Sequence, residues 1–136
     1  MAEHGLSGLS APSLSDIEEL ARAAYAGLPE QFRKLTGDIV IAVADFPPED
    51  VQKEMNAGPF DLLGLFQGVG LAHDAAVAET GRMPNMIFLY RRAILDYWAE
   101  HEETLGDIVT HVLVHEIGHH FGLSDDDMYG IEDQTP

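Results

Sequence analysis

The residues best suited to chemistry lie near the C-terminal end of this 136-residue chain, where His115, Glu116 and His119 form the pattern H-E-x-x-H. On a helix, residues four apart project from one face about one turn apart, so both imidazoles can reach one zinc ion. Glu116 points to one side of the first ligand, where its carboxylate can accept a proton from a zinc-activated water. The pattern therefore predicts zinc-dependent hydrolysis with Glu116 as the general base.

Two histidines leave zinc short of ligands, and the sequence offers two candidates for the third. Gly122 permits a sharp left-handed turn at the helix end, and Asp125 follows three residues later, where the chain can fold back to the metal. Residues 124–127 could equally cap a short C-terminal helix. Glu132, thirteen residues after His119, is the alternative ligand, since a downstream glutamate also completes such sites.

Four neighbouring residues are expected to have other roles. His111 lies one turn before His115 on the same face, but three successive turns span about 12 Å, too far for one ion to bind all three histidines. We therefore expect His111 to contact a ligand residue or to lie in the core. His120 is expected to be structural, Met128 to pack in the core, and Tyr129 to be an ordinary half-buried tyrosine.

The helix that carries the pattern is the most clearly predicted element. Thr104, followed by Asp107, marks its start, and Gly122 marks its end. An apolar stripe between them consists of Ile108, Val109, Val112, Leu113, Ile117 and Phe121. The helix is long enough to run through the middle of a small domain.

The remaining elements are predicted from caps and apolar runs. A capping box at residues 15–18 opens a first helix that ends near Gly27. The β-branched run at residues 39–44 predicts a central strand buried on both faces. Residues 86–90 predict a second strand, whose edge we expect to bind an extended substrate by main-chain pairing. Residues 73–84 are predicted to form a surface loop.

Composition excludes several classes of protein. Seven Lys and Arg against 24 Asp and Glu give a net charge of −17, which repels phosphate backbones and argues against nucleic-acid binding. Without an apolar run near the roughly 18 residues of a spanning helix, we expect no membrane interaction. Zero cysteines exclude a thiolate zinc site, and a cytoplasmic location is the default expectation.

The sequence predicts one folded domain. Residues 1–12 contain no basic cluster and no sustained apolar stretch, so we expect a flexible N-terminal tail and not a targeting segment. Residues 13–136 are then long enough for a single domain with its own core.

The segment from His115 to Asp125 resembles the metallopeptidase pattern H-E-x-x-H-x-x-G-x-x-[H/D], with Gly122 at the glycine position. The resemblance extends over most of the chain, and it is carried by residues 43–47 (VADFP), 61–65 (DLLGL), 89–92 (LYRR) and 115–128. In these stretches the chain is similar to the bacterial minimal zincin-like metallopeptidase family.

This resemblance implies a compact, single-domain α+β zincin-like fold. A small mixed sheet would pack on helices, and the helix with the motif would lie near the C-terminus. The resemblance also implies that His115, His119 and Asp125 bind Zn²⁺. It implies little about the physiological substrate.

We therefore expect a zinc metallopeptidase that acts on a peptide or protein, with Glu116 as the catalytic base. The alternative is a zinc-binding or partner-binding module with little hydrolytic activity, because 136 residues leave little material for deep specificity pockets. Hydrolysis of a non-peptide amide would use the same residues.

Overall fold

Helices and three strands make up the described part of the chain, residues 5–67 and 85–135 of the computed structural model. The described elements, in chain order, are a 3₁₀ helix (Gly5–Gly8), α1 (Leu14–Ala26), α2 (Glu30–Thr36), β1 (Ile39–Ala44), α3 (Glu49–Glu54), β2 (Gly64–Gln67), β3 (Asn85–Tyr90), α4 (Arg91–Glu100), α5 (Leu105–His120) and α6 (Asp125–Asp133). The predicted loop at residues 73–84 lies outside the described residues. The α+β class predicted from the sequence is confirmed.

The three described strands form one mixed sheet in the order β1-β3-β2. Strand β3 runs parallel to β1, with Ile39 opposite Asn85, and antiparallel to β2, with Gly64 opposite Leu89. Because both edges of β3 are paired, the prediction that residues 86–90 offer a free edge to substrate was wrong. Pairing between strands that are distant in sequence decides which strand is central, and a local apolar pattern does not record it.

Strand β1 lies at an edge of the described sheet, so its prediction as a central strand was also wrong. Its apolar residues are mostly half-buried, Val40 is exposed, and only Ile41 is fully buried. The run of valine, isoleucine and alanine has the composition of a central strand, but one side of the strand has no described partner.

Helix α5 runs through the centre of the domain. It packs against α1, α4, α6 and two strands of the sheet. Its buried residues are Ile108, Val109, Val112, Leu113, Val114, Ile117 and Gly118. They meet Ile17 and Ala21 of α1 and Ile87 and Leu89 of β3 in one apolar core. This packing fixes the backbone of the helix that carries the H-E-x-x-H pattern.

Helix starts follow the predicted chemistry, with one shift. Thr104 caps α5, because its Oγ1 accepts a hydrogen bond from Asp107 N at 3.1 Å, as predicted. The capping box of α1 uses Ser13 and Asp16, not residues 15–18. Two overlapping sequences could form the box, and the earlier one places Asp16 Oδ2 2.8 Å from Ser13 N. In the described part of the chain, no helix is long and apolar enough to cross a membrane.

Candidate metal centre

A tight turn returns the chain to the end of α5. Gly122 has φ +77°, a left-handed conformation that glycine adopts without strain. Leu123 N donates to Gly118 O at 2.9 Å, which closes the turn. Ser124 then caps α6 in a capping box with Asp127. Asp125 is therefore the first residue of a short helix, as one of the two sequence interpretations predicted, and it also lies beside the end of α5.

The junction of α5 and α6 is closely packed on its buried side. Met128 is fully buried, which confirms its predicted core position. A Cβ atom added at Gly118 would clash with Met128 Sδ and lie 2.8 Å from its Cγ. Glycine at this position therefore lets α6 pack directly on α5, below the polar residues that follow.

His115, His119 and Asp125 form one group of possible metal ligands, which we call the inner group. One ligand atom from each residue lies within 4.8 Å of the others. His119 Nε2 is 3.9 Å from Asp125 Oδ1, and these side chains are 60% and 75% exposed. The structure thus brings together the three residues that the sequence singled out.

His111, His115 and Glu132 form a second group, which we call the outer group. Glu132 Oε1 lies 2.7 Å from His115 Nε2 and 3.0 Å from His111 Nδ1. The rings of the two histidines stack with their centroids 3.9 Å apart. Glu132 therefore pairs with His111 and His115. From the sequence it was the alternative third ligand beside His115 and His119.

Sequence reasoning missed that His111 belongs to a ligand group. His111 is 47% exposed, so its interpretation as a core residue was wrong, while its contact with Glu132 agrees with the other interpretation. The signal was present, because residues 111 and 115 have the same four-residue spacing as residues 115 and 119. Only the return of α6 along α5 shows that Glu132 lies near that first pair.

Burial changes the proton affinity of two residues in the motif. It raises the pKa of Glu116, and the nearby His119 offsets part of this effect. It lowers the pKa of His115, with a further decrease from His111 that Glu132 partly opposes. His115 is therefore held in the neutral form that binds metals, and Glu116 is a stronger proton acceptor than an exposed glutamate.

Two other residues of this region have different surroundings. Tyr129 is exposed, not half-buried as predicted, because Met128 takes the core position in this turn of α6. Its ring centroid lies 5.5 Å from that of His115. His120 is exposed, and its ring centroid lies 4.5 Å from that of Phe66 of β2.

A central helix with two histidines one turn apart, a carboxylate that returns to it and a small mixed sheet are together the arrangement of a zincin-type domain. The profile of the zincin-like metallopeptidase family matches residues 36–135, so the chain belongs to this family. No curated protein sequence matches the chain significantly. The matched range contains the whole described sheet, the motif helix and both ligand groups.

Proposed function

We propose that the chain is a zinc-dependent peptidase in which His115, His119 and Asp125 hold the metal and Glu116 is the general base. One observation carries this proposal: His115 and His119 of α5 converge with Asp125 of α6 as a group that could hold a metal, and the half-buried Glu116 lies between the two histidines in the sequence of α5. Membership of a metallopeptidase family supports it.

The chemistry of the inner group fits zinc. Two imidazoles and one carboxylate form a common three-residue set for catalytic zinc, and the chain has no cysteine that could compete. A zinc ion bound there would polarise the substrate carbonyl and make a water molecule more acidic. The exposure of His119 and Asp125 leaves the group open to a substrate from solvent.

Glu116 has the properties that proton transfer requires. Its raised pKa brings its proton affinity closer to that needed at neutral pH. Glu116 would accept a proton from the attacking water and then donate it to the nitrogen of the leaving amine. This second transfer is needed because an amide nitrogen leaves only after protonation.

The sheet supports a specific path for the substrate. Strand β2 is the other edge of the described sheet and packs against α5. Because β3 is paired on both sides, we now expect an extended peptide to pair with the outer edge of β2. Main-chain pairing there would give affinity for peptides without deep side-chain pockets.

The variant Glu116→Gln tests the proposed reaction. It should keep zinc but lose cleavage of a mixed peptide library, because the amide cannot accept the proton of the water. Glu54→Gln, an exposed position at the end of α3, is the control and should cleave at the normal rate. Unchanged zinc-dependent cleavage by Glu116→Gln would refute this mechanism.

One contact favours the second candidate function, a zinc-binding or partner-binding module. Glu132 Oε1 lies 2.7 Å from His115 Nε2, so this nitrogen is paired outside the inner group, and the pairing would hinder assembly of a catalytic site with His119 and Asp125. A zinc-loaded protein that cleaves no member of a broad peptide library, together with a stable co-purifying partner, would support the module and contradict the peptidase.

A further inference from the structure

We propose that His111, His115 and Glu132 form a second position for zinc, which is an alternative to the inner group and shares His115 with it. This inference does not depend on peptidase activity, because it concerns only where the chain can hold a metal ion.

The outer group has a suitable set of donor atoms in a suitable arrangement. Two ring nitrogens and a carboxylate oxygen are the same donor types as in the inner group. Ligand atoms around a tetrahedral zinc with bonds of about 2.1 Å lie about 3.4 Å apart. Glu132 Oε1 lies 2.7 Å from His115 Nε2 and 3.0 Å from His111 Nδ1, so each separation is within about 0.7 Å of this value.

The members of the outer group are also less exposed and in closer contact than those of the inner group. In the inner group, His119 Nε2 and Asp125 Oδ1 are 3.9 Å apart on largely exposed side chains. In the outer group, His111 and Glu132 are 47% and 25% exposed, and His111 stacks on His115, which both groups share. Fewer rotamers are lost when an ion binds to side chains that already converge, so the outer group starts with an entropic advantage.

One ion cannot use both groups. A neutral imidazole offers a single lone pair, because its other ring nitrogen carries hydrogen. His115 therefore binds one ion at a time, either with His119 and Asp125 or with His111 and Glu132. An ion in the outer group leaves His119 and Asp125 without metal, so we expect that form to be inactive.

The surroundings of the outer group favour the approach of a cation. It borders a cavity of about 290 Å³ that lies between the first half of α5 and the end of α6. The lining includes Glu103, Asp107 and Asp133, and it contains no lysine or arginine among the described residues. This field attracts a divalent ion to the side on which His111 is exposed and Glu132 is partly exposed.

Zinc affinity of the full chain tests the inference, measured on metal-free protein by competition with a chromophoric chelator. His119→Ala should still bind one zinc per chain, within about tenfold of the wild-type affinity, because the outer group is intact. Adding Glu132→Gln to that variant should lower the affinity by more than about 100-fold. Adding Glu132→Gln to His111→Ala should change the zinc affinity by less than about threefold, because the inner group then binds the zinc.

The controls separate this inference from the proposed function. The exposed histidines 111 and 119 can be replaced without opening the core, and circular dichroism checks the fold of each variant. His120→Ala should bind zinc normally, because His120 contacts Phe66 and belongs to neither group. If His119→Ala binds no zinc while His111→Ala binds normally, the outer position is refuted and the proposed zinc site stands.

Two further outcomes are informative. If His111→Ala binds no zinc while His119→Ala does, the outer position is supported and the ligand set of the proposed peptidase is contradicted. Equal affinities for His119→Ala with and without Glu132→Gln would overturn the outer position, because Glu132 would then contribute nothing.

Discussion

The two sides of the junction between α5 and α6 differ in how they are held. On the buried side, Met128 fills the space above Gly118 and neither residue is accessible to solvent. On the polar side, five ionisable side chains meet, and His119 and Asp125 are mostly exposed. Packing thus fixes the backbone of the two helices, while a few polar contacts set the ends of the ligand side chains. If the proposed zinc moves between the inner and outer groups, this division would let the ligands change without a change of fold.

Of four changes to the α5–α6 junction, removing the buried contact between Met128 and Gly118 should have the largest effect. Met128→Ala leaves a cavity at the junction and should lower the free energy of unfolding by about 2–5 kcal/mol. The matched control is Met55→Ala, because Met55 is 45% exposed and should change stability by less than about 0.5 kcal/mol. Urea denaturation of metal-free protein measures both. Similar losses for the two variants would show that the buried side does not hold the helices together.

Removing the shared ligand should act on metal binding more than on folding. His115→Ala takes one residue from both groups and should weaken zinc binding by more than about 100-fold, or about 2.7 kcal/mol. His120→Ala, on the same helix, is the control for the loss of an imidazole. Calorimetric titration with zinc measures the two affinities. Normal binding by His115→Ala would mean that the metal lies elsewhere.

Removing a helix cap should have a smaller effect on stability. At α6 it should also change zinc binding, because the same cap starts the helix that packs on α5 and carries the ligands. Ser124→Ala and Ser13→Ala each break a capping box, and each should cost about 1 kcal/mol of stability. Only Ser124→Ala should also weaken zinc binding, because Ser124 begins the helix that carries Asp125 and Glu132. If both variants or neither lose zinc affinity, the start of α6 does not position the ligands.

The smallest expected effect is that of Glu116→Gln on the metal-free protein, whose stability should increase by an amount that depends on pH. Burial raises the pKa of Glu116 above 4.5, so ionisation of this carboxyl opposes folding. The folded protein binds the proton more tightly, and stability is therefore lost as the pH rises from 4.5 to the folded pKa. Glu116→Gln should remove this loss and melt at a higher temperature than wild type at pH 7.

The melting difference of Glu116→Gln should disappear below pH 4.5, where Glu116 is protonated in both the folded and the unfolded protein. Glu54→Gln, at an exposed position with the same substitution, should melt like wild type at both pH values. A lower melting temperature for Glu116→Gln at pH 7 would contradict the raised pKa.

Local signals made much of the fold predictable. The Thr104 cap, the apolar stripe and Gly122 gave the limits of α5 to within two residues, because each acts on its own stretch of backbone. Asp125 was placed near the motif because only one turn separates it from the end of α5. The position of strands within the sheet was not predictable, since β1 and β3 have similar apolar runs and pair with residues far away in sequence.

The outer group could not be predicted from local sequence signals either. Seventeen residues and a change of helix separate His115 from Glu132. Their contact depends on the direction in which α6 leaves the turn, and this direction is set by packing of Met128 on Gly118. Spacing along one helix predicts the pair His115 and His119, but it does not predict what the next helix brings to them.

The metal content per chain shows whether this chain binds zinc through the motif helix. It is measured by plasma mass spectrometry on protein purified without chelator or metal-affinity resin. We expect close to one zinc per chain. No transition metal, even after zinc is supplied and the excess is dialysed away, would contradict it and show that the histidines of α5 do not form a metal site.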